Sequence, residues 1–142
     1  MIKLYYIEID TRGRNEMADI TDNVRGIVQG SEIMNGQVLI FVPGATGALS
    51  TIEYEPGLIK DFPELMERII PEKKYYHHNE TWHDGNGHSH LRATLVGPSL
   101  TVPFENQRLL LGTWQQIIFL EFDNKPHRRK IVAQVTGEPR VS

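Results

Sequence analysis

Short apolar runs separated by proline, glycine and Asp-Asn-Lys-Pro breaks fill the second half of this chain, and this pattern most restricts its fold. Runs of about four to eight apolar and β-branched residues between such breaks are typical of strands. We expect strands at residues 91–96, 99–102, 109–111, 115–122 and 130–135. Strands in such close succession predict an antiparallel or mixed sheet system.

The first half of the chain adds helices to this sheet system. Residues 2–10, 37–42 and 51–54 read as further strands, and residues 45–50 as a loop. Two sets of apolar residues follow helical spacing, and Pro71 is expected to end the second helix. These sets are Ile20, Val24, Ile27 and Val28, followed by Leu58, Phe62, Leu65, Met66 and Ile69. The pattern predicts one α+β domain over residues 1–142, with two main helices.

Composition excludes several classes of protein. The chain has no cysteine, so disulfides, zinc fingers and iron–sulfur clusters are excluded, and any metal must use nitrogen and oxygen ligands. A net charge of −3 argues against broad nucleic-acid binding. The apolar runs are too short to span a bilayer, and the chain opens with a strand-like run instead of a signal peptide. We therefore expect a cytoplasmic protein without membrane or nucleic-acid partners.

Residues 77–90 contain five of the six histidines, together with two carboxylates and two glycines. Imidazole is a common ligand of zinc-like metals and changes charge near neutral pH, so this density predicts a site. His88 and His90 open a predicted strand, where residues two apart share a face and could reach one ion. The alternative is that His88 lies in the turn and only His90 faces inward. About 20 residues here lack clear periodicity and are expected to form a functional loop.

The residues near this pair each have more than one expected role. Asp84 could bind a metal, orient a histidine or act as a general base, but it also suits a solvated Asp-Gly-Asn-Gly turn. His77 and His78 are adjacent, so in an extended segment at most one should join the site, and we favour His78. His127 lies in a Pro-His-Arg-Arg turn and is expected to be exposed.

Three further segments carry candidate substrate contacts. Hydroxyls and backbone N–H groups near Thr46 and Thr113 suit phosphate oxygens. Trp114 could stack on a flat heteroaromatic ring, although a core position is the more ordinary use of such a tryptophan. Arg92 would share the face of His90 on a continuing strand and could neutralise an anion.

Residues 83–137 resemble the YjbQ-like family, also called the secondary thiamine-phosphate synthase enzyme family. The matching segments are Asn-Gly-His-Ser-His-Leu-Arg-Ala at residues 86–93, Leu-Val-Gly-Pro-Ser-Leu-Thr-Val-Pro at 95–103 and Leu-Gly-Thr-Trp-Gln-Gln at 111–116. The closing strand from Arg128 to Gly137 also matches, and the order of elements before residue 83 fits.

The resemblance implies a β-sandwich-like α+β fold, a homotrimer with sites near subunit contacts, and a pocket of histidines with an acid that holds a divalent metal such as zinc or magnesium. It also implies weak thiamine-phosphate synthase activity in some members. The chain departs from the family at Gly44, where many members carry a loop histidine, whereas Glu53 matches the acid that ends that family segment. The histidines at 77, 78, 83 and 88 are hypothesised to compensate.

We therefore expect a metal-assisted enzyme that acts on a small phosphorylated metabolite, with a thiamine-phosphate synthase-like reaction. A metal-dependent hydrolase and a non-catalytic trimer that binds a metabolite or metal are the alternatives. The residues expected to carry the function fall into three groups. They are Asp84, His90 and Glu53 for catalysis; Thr46, Asn86, Arg92, Thr113, Trp114 and Gln115 for substrate; and His78, His83, His88 and His90 for metal.

Overall fold

Two antiparallel sheets and four helices make up the computed structural model, which describes residues 1–139. The strands are β1 Ile2–Thr11, β2 Glu16–Asp19, β3 Ile33–Phe41, β4 Gly47–Ile52, β5 Ser99–Glu105, β6 Arg108–Leu109, β7 Gln116–Glu121 and β8 His127–Pro139. The helices are α1 Thr21–Gly30, α2 Pro56–Ile69, α3 His77–Trp82 and α4 Gly87–Val96. The α+β class is confirmed.

A five-stranded sheet has the order β1-β8-β3-β5-β6, and a three-stranded sheet has the order β2-β7-β4. Along β8, alternate residues from Arg129 to Val135 are buried, as expected for a strand with one face on the core. The main core lies between the sheets and includes Val38, Ile117 and Phe119, all fully buried. A second cluster around Phe122 and Met66 packs the α2 and α4 side of the smaller sheet.

The two predicted helices form as the apolar spacing indicated. Asp19 accepts hydrogen bonds from the backbone N–H and the hydroxyl of Thr21 at the start of α1. Glu55 precedes α2, and its carboxylate accepts from two backbone N–H groups of the first turn. Helix α2 ends at Ile69, two residues before Pro71, as expected.

The segment from residue 77 to 96 differs from the sequence-based prediction. Residues 77–90 are not a loop, since they include helix α3, and residues 91–96 are not a strand, since they complete helix α4. The alternation of Leu91, Ala93 and Leu95 imitates a strand, but Leu91 and Leu95 are exposed. The buried residues of α4 follow helical spacing instead, because pairs such as His88 and Arg92 lie one turn apart.

Several strand boundaries also differ, and two of the differences concern the smaller sheet. Residues 16–19, which carried no prediction, pair with β7 as strand β2. The predicted strand at residues 51–54 begins earlier, because β4 starts at Gly47 inside the predicted loop and pairs with β7 from there. Among residues 1–139, no helix is both long and apolar enough to cross a membrane.

Candidate functional site

A tight turn between α3 and α4 brings two histidines together. His83 ends α3 with φ of 55°, and Gly85 follows with φ of 66°, so the chain reverses within a few residues. The backbone N–H of Gly87 donates to the Asn79 side chain at 2.9 Å, which fixes the start of α4 against α3. As a result, the rings of His78 and His90 lie 4.4 Å apart, centroid to centroid.

Asp84 and Asn86 lie beside His78. The Nε2 atom of His78 is 3.0 Å from the Asn86 side-chain oxygen and 3.5 Å from Asp84 Oδ1. One orientation of the buried Asn86 amide donates to Asp84 at 2.8 Å, and the other donates to Asp123 at 3.4 Å. Asn86 therefore lies between the partly exposed Asp84 and a buried carboxylate below it, and can donate to one or to the other.

That carboxylate, Asp123, is a site residue that sequence reasoning missed. It accepts hydrogen bonds from His127 Nε2 at 2.6 Å, from the Asn124 backbone N–H at 2.8 Å and from Thr46 Oγ1 at 3.3 Å. Burial acts to raise the pKa of Asp123, but the bonds from His127, Asn124 and Asn86 outweigh it, so the pKa is lowered. The expectation that His127 is simply exposed was wrong, because its side chain is half-buried against Asp123.

A buried ion pair supports Asp123 from behind. Arg129 on β8 donates to Glu121 on β7 through both Nε and Nη2, and Thr11 Oγ1 donates to the same carboxylate at 2.6 Å. Arg129 Nη2 also donates to Thr46 Oγ1 at 2.8 Å. The Thr46 hydroxyl is thus engaged in this network. Glu121 inside the apolar run of residues 117–122 was the available sequence signal, since a carboxylate buried in a core needs a cationic partner.

His88 and Arg92 lie on another face of α4 from His90. Residues two apart on a helix are rotated by about 200°, so the shared site predicted for His88 and His90 was wrong. Arg92 is buried and donates to the Ile70 carbonyl, to Glu67 and to Asn15, not toward His90. It therefore ties α4 to the end of α2 and to the turn after β1.

His88 is 3% exposed, and within residues 1–139 its Nδ1 atom has no hydrogen-bond partner. Its Nε2 atom is 4.0 Å from Glu72 Oε1. Burial, and next the charge of Arg92, lower the pKa of His88 below its ordinary value. His88 is therefore a neutral, buried side chain at neutral pH.

The remaining predicted residues lie elsewhere. Glu53 follows the end of β4, six residues from Gly47, or roughly 20 Å along an extended chain. Thr113 and Trp114 are exposed before β7, and Trp114 is 70% exposed, so it is not a core residue. Gln115 donates to Thr51 at 3.1 Å and accepts from the Gly112 N–H. These residues lie at the opposite end of β7 and β4 from Asp123 and do not reach the histidines within one chain.

His90 faces two clefts. One of about 500 Å³ is lined by residues 74–78 and by Gly87, His90 and Leu91. The other, of about 280 Å³, lies on the far side of His90, between α4 and residues 44–47. Burial, and next the neighbouring His78, lower the pKa of His90. A neutral imidazole between two clefts can accept or relay a proton.

The donors present fit a divalent metal only in part. His78 Nε2 and Asp84 Oδ1 stand near the separation of two ligands on one zinc ion. Within residues 1–139, however, no three histidine, aspartate or glutamate side chains form a metal-binding group. The predicted set of His78, His83, His88 and His90 is not assembled, because His88 is on another face of α4 and His83 is exposed at the end of α3.

Comparisons with known proteins agree with this fold. The family model described as "UPF0047 protein YjbQ-like" matches residues 5–138. A UPF0047 protein of Archaeoglobus fulgidus is 45% identical over 126 residues, which are 89% of this chain and 96% of that protein. One from Methanothermobacter thermautotrophicus is 40% identical over 133 residues, covering 94% of this chain and 91% of the other.

Solved structures give the same result. The crystal structure of a YbjQ-like protein of unknown function from Sulfolobus solfataricus matches with a TM-score of 0.88 and 35% identity, covering 97% of this chain and all of the other. A hypothetical protein from Aeropyrum pernix matches with a TM-score of 0.89 and 32% identity, covering 96% and 99%.

Proposed function

The chain belongs to the UPF0047 family of YjbQ-like proteins, and we propose that it is a cytoplasmic enzyme acting on small phosphorylated metabolites. The reaction proposed is thiamine-phosphate synthase-like. A pyrimidine diphosphate loses pyrophosphate as its methylene carbon bonds to the ring nitrogen of a thiazole phosphate.

The observation that carries this proposal is the position of His90. Of the residues that the structure describes, His90 is the one that lines both clefts, and its ring lies against that of His78. Two reactants held on either side of His90 would have their reacting atoms near one pair of imidazoles. Holding two reactants in place supplies much of the acceleration in a reaction of this kind.

The proposed reaction requires these residues to stabilise a leaving group and does not require a strong base. The carbon–oxygen bond to the diphosphate breaks, a carbon–nitrogen bond forms, and no proton has to leave the thiazole nitrogen. Imidazole N–H groups of His78 and His90 can donate to the departing diphosphate oxygens, where negative charge develops. In the orientation of the Asn86 amide that donates to Asp84, the same amide also donates to His78 Nε2, so Asn86 orients both side chains. No step in this scheme passes through a metal.

A homotrimer completes the proposal. The loop of Thr113, Trp114 and Gln115 lies far from His90 in its own chain, yet it presents a large exposed indole. In a closed ring of three copies, this loop could reach the site of a neighbour. We propose that Trp114 contributes to the substrate site in this way.

The test is an assay of the purified chain with the two thiamine precursors, with product measured by chromatography. The proposal expects thiamine phosphate to form above the enzyme-free rate, with one pyrophosphate released for each product. Product at the background rate would reject the synthase reaction. Phosphate release from the pyrimidine diphosphate alone would favour the hydrolase alternative. Light scattering of the same sample tests the trimer.

A further inference from the structure

The larger cleft beside His90 has walls made mostly of rings. Tyr75, Tyr76 and His77 line one side, and His90 and Leu91 of α4 line the other. A volume of about 500 Å³ lies within the range of small-molecule sites. The exposed surface of Tyr75 and Leu91 shows that the apolar lining continues to the mouth of the cleft.

The ring of Tyr76 is held in one place. Its hydroxyl donates to the Pro71 carbonyl at 2.5 Å, and burial raises the pKa of this hydroxyl, so it stays protonated. Gly87 packs directly behind it, since a Cβ atom at that position would lie only 2.7 Å from the Tyr76 Cβ. A wall fixed before binding lowers the entropy lost when a ligand binds.

The cleft carries the positive charge of Lys74, and the Asp84 carboxylate lies 3.5 Å from the lining residue His78. Lys74 lines it with its ammonium 5.9 Å from the centre of the Tyr76 ring, and His77 and His78 add imidazoles. The residues of the described chain that line this cleft include no carboxylate. Aromatic faces bind planar rings, and an ammonium group binds phosphate.

We propose that this cleft binds a flat heteroaromatic ring that carries a phosphate group, with the ring against Tyr76 and the phosphate toward Lys74. This inference rests on the proposed function and deepens it, because it assigns the ring of the substrate to one of the two clefts. The occupant is a free small molecule. A second copy of the chain in this cleft would be a different result.

Calorimetric titration tests the assignment with two probes. Hydroxymethylpyrimidine diphosphate is a substrate of the proposed reaction, whereas pyridoxine phosphate also joins a flat heteroaromatic ring to a phosphate group but does not take part in that reaction. Both should bind, and pyridoxine or inorganic phosphate alone should bind at least about 10-fold more weakly. If the protein binds pyridoxine phosphate but has no synthase activity, the binding site is supported and the proposed reaction is rejected.

Variants of the wall separate the ring from the phosphate. Tyr76→Leu should lower the affinity for both phosphorylated probes by at least about 5-fold, because stacking on a ring is lost. Tyr76→Phe keeps the ring and should stay within about 2-fold of the parent. Lys74→Gln should lower the affinity for the phosphorylated probes by about 5-fold and leave the affinity for pyridoxine unchanged.

Tyr6→Leu is the matched control. Tyr6 also lies under a lysine, Lys130, at 4.3 Å, but on the exposed face of β1 away from this cleft. It should not change the affinity for either probe. Wild-type affinity in both Tyr76→Leu and Lys74→Gln would overturn the assignment. A second result would also overturn it: neither probe binds to the parent protein, and Leu91→Glu dissociates the oligomer. In that case a second copy of the chain fills the cleft.

Discussion

His88 and His90 are two residues apart on one helix, yet their surroundings differ in almost every respect. His88 is buried with Arg92 against the end of α2, and its imidazole is closed off from solvent. His90 is partly exposed, lies beside His78 and lines two clefts. Burial lowers the pKa of both. The comparison shows that a dense histidine motif can divide into a buried half and a half that lines clefts.

The largest expected effect separates the two histidines by activity. His90→Ala should lower the rate of the proposed reaction by about 100-fold or more, the usual size for loss of a positioned proton donor or acceptor. Steady-state kinetics at neutral pH provide the measurement. His88→Gln, which keeps a polar side chain of similar length, should retain most of the rate per folded molecule. Equal losses in the two variants would contradict the division.

The second prediction concerns the buried side of α4. Arg92→Met should lower the free energy of unfolding by about 2–4 kcal/mol, because the Ile70 carbonyl and the Asn15 side chain lose their donor inside the protein. Urea titration followed by circular dichroism measures it. Arg128→Met on the exposed face of β8 is the control and should cost less than about 0.5 kcal/mol. A change of similar size in the free energy of unfolding of Arg92→Met and of Arg128→Met would contradict the structural role of Arg92.

The third prediction is a pH dependence of stability. A histidine whose pKa is lower in the folded state binds fewer protons there than in the unfolded chain, so stability is full above the ordinary value of about 6.5. Stability should fall as the pH drops below that value toward the lowered pKa of His88. Thermal melts between pH 7.5 and about 5 provide the measurement. His88→Gln should flatten this slope more than His77→Gln, whose side chain is exposed.

The smallest expected effect is that of metal. Since no three metal-binding side chains of residues 1–139 come together around His78 and Asp84, dialysis against a chelator should change the melting temperature by less than about 1 °C. Elemental analysis of untreated protein accompanies this measurement. A stoichiometric metal that disappears in His90→Ala but not in His88→Gln would show that the half of the motif that lines the clefts does hold an ion.

Periodicity was sufficient for most of the fold and for little of the site. Strands β1 and β8 and helices α1 and α2 could be predicted because each has one apolar face with a regular repeat. Helix α4 could not, since its buried face carries His88, Ser89 and Arg92, which look polar in the sequence. That single error placed His88 and His90 on one face.

The carboxylate beneath the site was beyond local reasoning for another reason. Asp123 lies 37 residues from Asn86 and 77 from Thr46, so their contacts depend on how β7 pairs with β4 and how α4 packs on them. His78, Asp84 and His90 were found because they are close together in the chain. Contacts over long sequence separations leave no local pattern to read.

The Glu121–Arg129 pair has a consequence for how the molecule assembles. Each partner belongs to a different sheet, and each is almost wholly removed from water. If one partner were buried without the other, its unpaired charge would lie against apolar side chains at a cost of several kcal/mol. Such species are disfavoured, so the two sheets should pack together in a single concerted step. Asp123 and Thr46, which contact this ion pair, should reach their positions in the same step.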